Sequence, residues 1–158
     1  MRGPFVRRRS GDIDVTLTAV EADLIRSVVE QMTGVLDDPP PRLLPPAYED
    51  DPEAQAEYAS LMTADLMDGK RRALASMKAT IERGKIKRDG WRATLTEDEA
   101  QDWLAVVNDA RLTLGTNLNI TEDSYERDID PTDPDAASHE VFRYLGFVEE
   151  YLVDALMG

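Results

Sequence analysis

The chain has 158 residues, and its 18 lysines and arginines stand against 32 aspartates and glutamates, so the formal net charge is -14. It has one histidine and no cysteine, which excludes thiol nucleophiles, cysteine-ligated metal sites and sites that need two imidazoles from one chain. With 42% hydrophobic residues, this length predicts a single domain, residues 1–158, with one ordinary core.

The N-terminal part of the chain predicts a β-hairpin followed by an amphipathic helix. Strands are expected at residues 5–8 and 13–17, because the Ser-Gly-Asp sequence between them is typical of a turn. Thr18 and Glu21 have the spacing of a capping box, in which each side chain binds the free backbone amide of the other. The apolar stripe of the helix is expected at Val20, Leu24, Val28, Met32 and Val35, and its end near Leu36.

A proline-rich segment follows at residues 37–46, with five prolines in ten positions. It cannot be helical throughout, and we expect it to run extended over the surface, held by Leu43, Leu44 and Tyr48. Beyond it, the proline after Asp51 predicts a helix start, because proline in the first turn loses no intrahelical hydrogen bond.

The helical pattern that begins there is interrupted at Asp68 and Gly69. Two helices and one bent helix both fit this pattern. Gly84 is expected to close it as a C-terminal glycine.

A second hairpin and a long helix are predicted from residue 85 onwards. The strands, at residues 85–87 and 91–95, flank Asp89 and Gly90, which are suited to the positive φ of a tight turn. A second capping pair and the apolar residues behind it predict a central helix of about 20 residues, roughly 30 Å long. No internal repeat is apparent.

The last predicted helix begins at Pro134, after the acidic loop 119–133. This loop resembles a calcium-binding loop only at its first positions, because the required glycine and the final glutamate are missing, so we predict no metal site. The predicted fold class is mainly α (α+β), with four to five helices forming a helical bundle and one or two small β-hairpins.

Cofactor and membrane motifs are missing from the sequence. The glycines form no phosphate-binding loop, so no nucleotide cofactor is expected. No apolar run reaches the roughly 18 to 20 residues of a membrane-spanning helix, and no signal-peptide pattern follows the basic N-terminus. These features predict a soluble, cytoplasmic protein.

One face of the long helix carries a polar cluster that is a candidate anion site. Asn108 and Arg111 lie three residues apart, and Thr116 follows near the helix end. A guanidinium binds carboxylates or phosphates through paired hydrogen bonds, so Arg111 is the expected anchor of a small-anion sensor or enzyme site. The alternative is structural: Asn108 and Arg111 bind a facing helix, and Gly115 lets that helix approach closely.

Positive charge is concentrated at the N-terminus and at residues 70–92. If the two hairpins join in one sheet, a basic patch is expected beside Trp91, of the kind that binds anions or nucleic acid. Its candidate residues are Arg7, Arg8, Arg9, Lys85, Lys87, Arg88 and Arg92. The alternative is that these cations neutralise acidic segments such as 37–53 and 122–135, within the chain or across a dimer.

Three segments carry a family resemblance: RLLPPAY at 42–48, WLAVVNDARLTLGTNLNI at 103–120 and YLGFVEEYL at 144–152. They resemble the actinobacterial domain-of-unknown-function family that is typically encoded beside ClpS, the adaptor of the Clp protease. The resemblance implies a small cytoplasmic protein with a regulatory role and no assigned enzymatic activity, and it supplies no catalytic residue. A thiol-based redox role proposed for relatives cannot apply to a chain without cysteine.

Three functions follow from these observations. The leading hypothesis is a non-enzymatic regulatory or adaptor-like protein that binds another protein of the proteolysis or transcription machinery, or a second copy of itself. The second is a transcription-associated regulator that contacts DNA, RNA polymerase or a sigma factor through the basic hairpins. The third is a small-anion sensor or enzyme centred on Asn108 and Arg111.

Overall fold

The computed structural model describes residues 3–44, 52–118, 132 and 134–158. In chain order its elements are β1 (Phe5–Arg7), β2 (Ile13–Leu17), α1 (Ala19–Asp37), a 3₁₀-helix (Pro41–Leu43), α2 (Pro52–Arg83), β3 (Lys85–Lys87), β4 (Gly90–Leu95), α3 (Glu97–Asn117) and α4 (Ala136–Met157). This confirms the predicted mainly helical α+β class with two hairpins.

The two hairpins form one antiparallel sheet with the strand order β1-β2-β4-β3. The central pair is β2 with β4, so β1 and β3 are the two edges. Side chains alternate between the faces of a strand, and one face of this sheet is buried against the helices. The buried face carries Phe5, Ile13, Val15, Leu17, Trp91 and Leu95.

Both predicted capping boxes are present at helix starts. In α1, Glu21 N donates to Thr18 Oγ1 over 3.1 Å, and Thr18 N donates to Glu21 Oε1 over 2.9 Å. In α3, Thr96 and Glu99 make the same two bonds at the same lengths. Each box satisfies backbone amides that have no partner inside the helix.

The predicted apolar stripe of α1 was partly wrong. Val20 is 77% exposed, whereas Ala22, Ile25 and Val29, which lie outside the predicted stripe, are buried. The physical reason is helix geometry: a step of four residues turns about 400°, so a stripe built from repeated steps of four drifts around the helix.

The interrupted pattern of residues 52–83 forms one helix, α2, which continues through Asp68 and Gly69. Its C-terminal half packs against α3, where the buried Thr80 Oγ1 accepts a hydrogen bond of 2.6 Å from Trp103 Nε1. Trp103 also stacks on Trp91 and meets Phe5 edge-on, each at a ring-centroid distance of 6.2 Å. These aromatic rings join the sheet to the helices.

The proline-rich segment is described only as far as residue 44. Within the described part, Pro41–Leu43 form a short 3₁₀-helix where an extended run was expected. Leu43 is buried and Leu44 half-buried, so both leucines pack against the core as predicted, and Tyr48 lies outside the described residues. Of the acidic loop, all residues except 132 lie outside the described part of the chain.

The structure contains an internal repeat, so the expectation of none was wrong. The unit β1-β2-α1 recurs as β3-β4-α3, and from β2 and β4 onward the counterparts lie 78 residues apart. The sequence Thr16-Leu17-Thr18 with Glu21 returns as Thr94-Leu95-Thr96 with Glu99. Buried helix positions correspond as Ala22 and Ala100, Ile25 and Trp103, Val28 and Val106, Val29 and Val107, and Met32 and Ala110.

The pairing of β2 with β4 obeys the same symmetry. Val15 pairs with Ala93, its own counterpart, so a pseudo-twofold axis passes between these two residues. The symmetry ends at the edges of the sheet. β1 packs against α4, while Ile86 in β3 is 82% exposed.

Candidate interaction surfaces

The outer face of the sheet is polar and open to solvent. Between the buried residues of β2 and β4, the side chains of Asp14, Thr16, Arg92 and Thr94 point away from the helices. The two predicted hairpins therefore present one continuous face, on which residues from both basic segments meet.

Asp14 lies between the residues of the two basic segments on this face. Its carboxylate accepts hydrogen bonds from Arg8 Nε at 2.7 Å and from Thr94 Oγ1 at 2.8 Å. The hydrogen bond from Arg8, assisted by Thr94 and the nearby charge of Arg92, holds the pKa of Asp14 below its ordinary value. Arg8 is thus paired with a carboxylate of the chain, and Arg92, whose charge acts on Asp14, is paired with Asp89.

Arg7 points in the opposite direction from Arg8. Its Nη1 donates to the backbone carbonyls of Leu156 at 2.7 Å and Ala155 at 3.3 Å, in the last turn of α4. A cation there also complements the negative end of the helix dipole. Arg7 therefore binds the end of α4, apart from the other candidates of the basic patch on the outer face.

The remaining predicted patch residues lie in the two hairpin turns and on β3. Arg9 and Arg88 are exposed in the turns, and Lys85 and Lys87 are exposed on the strand. Lys85 is the direct cross-strand partner of Arg92. Within the described ranges, no ion pair joins Lys85, Lys87 or Arg88 to a carboxylate. We call these three residues the basic edge.

Internal neutralisation accounts for many of the other cations. Seven cations of the two basic segments form ion pairs within the described residues: Arg7, Arg8, Lys70, Arg71, Arg72, Arg83 and Arg92. The predicted alternative is confirmed for them, but their partners differ from the acidic segments that we named. The carboxylates belong to Glu97, Asp14, Asp109, Asp68, Asp102, Glu99 and Asp89.

The polar cluster of α3 is divided between the helix interface and the surface. Arg111 reaches α4, where its Nη1 lies 3.1 Å from Glu149 Oε2 and its guanidinium lies 4.9 Å from the centre of the Phe142 ring. A Cβ on Gly115 would be 3.3 Å from Phe142, so this glycine does permit the close approach of α4. For Arg111 and Gly115, these are the contacts that the structural alternative predicts.

The other two members of this cluster do not meet at the Arg111 side chain. Asn108 is exposed to solvent. Thr116 Oγ1 donates to Leu112 O in its own helix at 3.0 Å and accepts from Arg42 at 3.4 Å. The anion site around Asn108, Arg111 and Thr116 remains a proposal.

Comparison with known proteins places the chain in a family. The model of a domain of unknown function, DUF2017, matches residues 1–156. The chain belongs to the DUF2017 family. This supports the resemblance to an uncharacterised domain family, and the mycobacterial relatives described next fit its actinobacterial assignment.

The curated relatives of this DUF2017 chain are named as regulators. The oxidative stress regulator AosR of Mycobacterium tuberculosis (strain ATCC 25618 / H37Rv) is 37% identical over an alignment of 130 residues that covers 74% of this chain and 57% of the relative. The putative oxidative stress regulator AosR of Mycobacterium leprae is 35% identical over the same length. The chain therefore spans little more than half the length of these relatives. No solved structure matches it.

Two buried carboxylates of the DUF2017 chain were missed by the sequence reasoning. Asp109 lies between α2 and α3 and binds Lys70 Nζ through both oxygens, at 2.8 and 2.9 Å. Asp102, on the same helix, pairs with Arg72 at 3.2 Å. Each of these aspartates lies close in sequence to apolar residues of the helix. A charged residue in a helix usually lies on the solvated face, so nothing in the sequence indicated that these two are buried. Among the described helices, none is long and apolar enough to cross a membrane.

Proposed function

We propose that this protein is a non-enzymatic cytoplasmic regulator that binds an acidic surface of another protein through its basic edge. The observation that carries the proposal is that some cations are paired with carboxylates and others are not. Within the described residues, nine basic side chains are paired with carboxylates of the chain, whereas Lys85, Lys87 and Arg88 lie next to one another on an exposed strand and turn. Such a cluster favours association with a partner of opposite charge.

A protein partner fits the charge of the whole chain better than nucleic acid does. The net charge is -14, so a long line of phosphates would meet repulsion on both sides of the basic edge. A short acidic segment of a protein contacts the basic edge alone. The regulatory names of the relatives support a role of this kind and make transcription machinery one class of partner to test. The resemblance to a family encoded beside ClpS makes proteolysis machinery the other class.

Affinity capture from native lysate, with crosslinking and quantitative mass spectrometry, tests the proposal. The variant Lys85→Glu/Lys87→Glu is compared with Arg26→Glu/Lys78→Glu, which makes the same change in net charge at exposed sites on α1 and α2. We expect at least one partner that the first variant loses tenfold or more and the second retains. Equal recovery by the wild type and both variants, or no partner at all, would show the proposal to be wrong.

The second candidate function is DNA binding, and the meeting of the two basic segments on one sheet face favours it. Arg8, Arg92 and Lys85 lie in neighbouring positions across the outer face. Binding of this kind weakens steeply with salt, because each neutralised phosphate releases counterions. A mobility-shift titration at low salt tests it, and failure to retard any duplex leaves contact with RNA polymerase or a sigma factor as the remaining transcription hypothesis.

A further inference from the structure

The repeat shows which sheet edge has been left uncovered. At one edge, β1 packs against α4, and Arg7 binds the last turn of that helix. At the other edge, β3 holds the corresponding place in the second unit, and Ile86 is 82% exposed. In the part of the chain that the structure describes, no helix packs closely along β3.

The free edge of β3 has hydrogen-bonding groups available at Ile86. Lys87 pairs with Gly90 across the two-residue turn of Arg88 and Asp89, and the pair that closes such a turn is hydrogen-bonded. Bonded and non-bonded pairs alternate along an antiparallel ladder, so the Ile86 amide and carbonyl point away from β4. An incoming strand would therefore find one donor and one acceptor side by side.

The side chains of β3 determine which side chains an incoming strand needs. Lys85 and Lys87 lie on the outer face, while Ile86 lies on the other face. A second copy of β3 does not fit, because edge-to-edge pairing would set lysines opposite lysines. Acidic side chains on one face and an apolar side chain on the other match both the charge and the exposed isoleucine.

We infer that β3 is a docking edge for strand addition, and that its ligand is an extended segment of a partner protein with alternating acidic and apolar residues. Main-chain hydrogen bonds to Ile86 align the segment, its carboxylates face Lys85 and Lys87, and an apolar side chain covers Ile86. The inference rests on the proposed function, since it describes how the basic edge would hold an acidic protein.

The direct test uses two capped eight-residue peptides of equal composition and the full chain. One alternates glutamate and valine, and the other has four glutamates followed by four valines. We expect the alternating peptide to bind at least tenfold more tightly by fluorescence anisotropy, and to slow hydrogen exchange of the Ile86 amide at least tenfold. Equal affinity of the two peptides would indicate charge attraction alone and would overturn strand addition, as would an unchanged exchange rate at Ile86.

Two further measurements separate this inference from the proposed function. The alternating peptide N-methylated at every residue keeps its side chains but has no amide donors, and it should bind at least tenfold more weakly to the unaltered protein. Ile86→Pro removes the outward amide without removing a bond to β4, and it should lose the peptide and the partner. If Ile86→Pro captures the partner normally while Lys85→Glu/Lys87→Glu does not, the proposed function stands and strand addition is wrong.

Discussion

Gly84 and Trp91 occupy complementary space at the junction of α2 and the second hairpin. A Cβ built on Gly84 would overlap the six-membered and five-membered rings of Trp91, whose side chain is buried. Gly84 was expected to serve as a C-terminal glycine, and its amide does bond the carbonyls of Thr80 and Ile81. The need for glycine, however, comes from the indole that lies against it.

Gly84→Ala is therefore expected to destabilise the protein by at least about 2 kcal/mol, because the indole has to move within a packed core. The matched control is Gly69→Ala in the middle of α2, where a Cβ would meet nothing within 4 Å. That change should stabilise the helix by about 0.5–1 kcal/mol. Urea unfolding of both variants measures the difference, and a Gly84→Ala protein as stable as the wild type would contradict the packing argument.

The hydrogen bond from Trp103 to Thr80 predicts a second effect on stability. Thr80→Val keeps the volume of the side chain but removes the acceptor, so the buried indole N–H loses its partner. We expect a loss of about 1–3 kcal/mol in the free energy of unfolding. Thr80→Ser keeps the hydroxyl and is the control for the hydrogen bond. A Thr80→Val protein as stable as the wild type would show that this hydrogen bond adds nothing to stability.

We expect Glu99 to account for part of the loss of stability at acidic pH. The hydrogen bond from Arg83, with further bonds from Thr96, holds the pKa of Glu99 below its ordinary value of 4.5. A carboxyl with a lowered folded pKa contributes stability above its unfolded pKa and loses that contribution as the pH falls through the folded pKa. The wild type should thus lose this contribution below about pH 4.5.

Urea unfolding at pH 7 and pH 3.5 measures this contribution. Glu99→Gln should be less stable than the wild type at pH 7, and the gap between the two should narrow at pH 3.5. Glu30→Gln, at an exposed position of α1, is the control and should show no such narrowing. A gap for Glu99→Gln that does not change with pH would remove the ionic contribution.

Arg111→Lys distinguishes the structural from the ligand-binding interpretation of the α3 cluster. Lysine keeps the charge but lacks the planar guanidinium that lies over Phe142, so we expect a loss of about 1–2 kcal/mol in stability. Asn108→Ala, at an exposed position, should change stability by no more than about 0.5 kcal/mol. Thermal unfolding with added phosphate completes the test: a stabilisation of the wild type that both variants lose would support an anion site.

Local patterns predicted the elements because they report on neighbouring residues. Turn residues, capping pairs and the proline before a helix act within a few positions, and the hairpins and helix starts followed them closely. The buried face of α1 was harder to predict from the sequence, because it depends on which side of the helix packs against the sheet. Val20 is apolar but lies on the side that the sheet leaves open.

Local sequence patterns could not predict the internal repeat or the ion pairs of the cations. The counterparts of Ile13 and Ile25 are Trp91 and Trp103, so size differences hide the correspondence in the core. The pairing of Lys70 with Asp109 joins two helices whose relative rotation no local pattern contains. For the basic edge, the sequence supplied the residues, but only the structure showed that Arg8 pairs with Asp14 and Arg92 with Asp89 while Lys85 and Lys87 stay exposed.

The pairing of β2 with β4 also constrains when the protein can fold during synthesis. Each hairpin alone is a two-stranded ribbon, which has little stability in water. The central ladder from Ile13 to Leu95 needs both ribbons, so β2 must wait until translation has passed Leu95 and released it from the ribosome. Until then, β2 has only β1 as a partner strand, and a chaperone that recognises short apolar strands would find its other edge exposed.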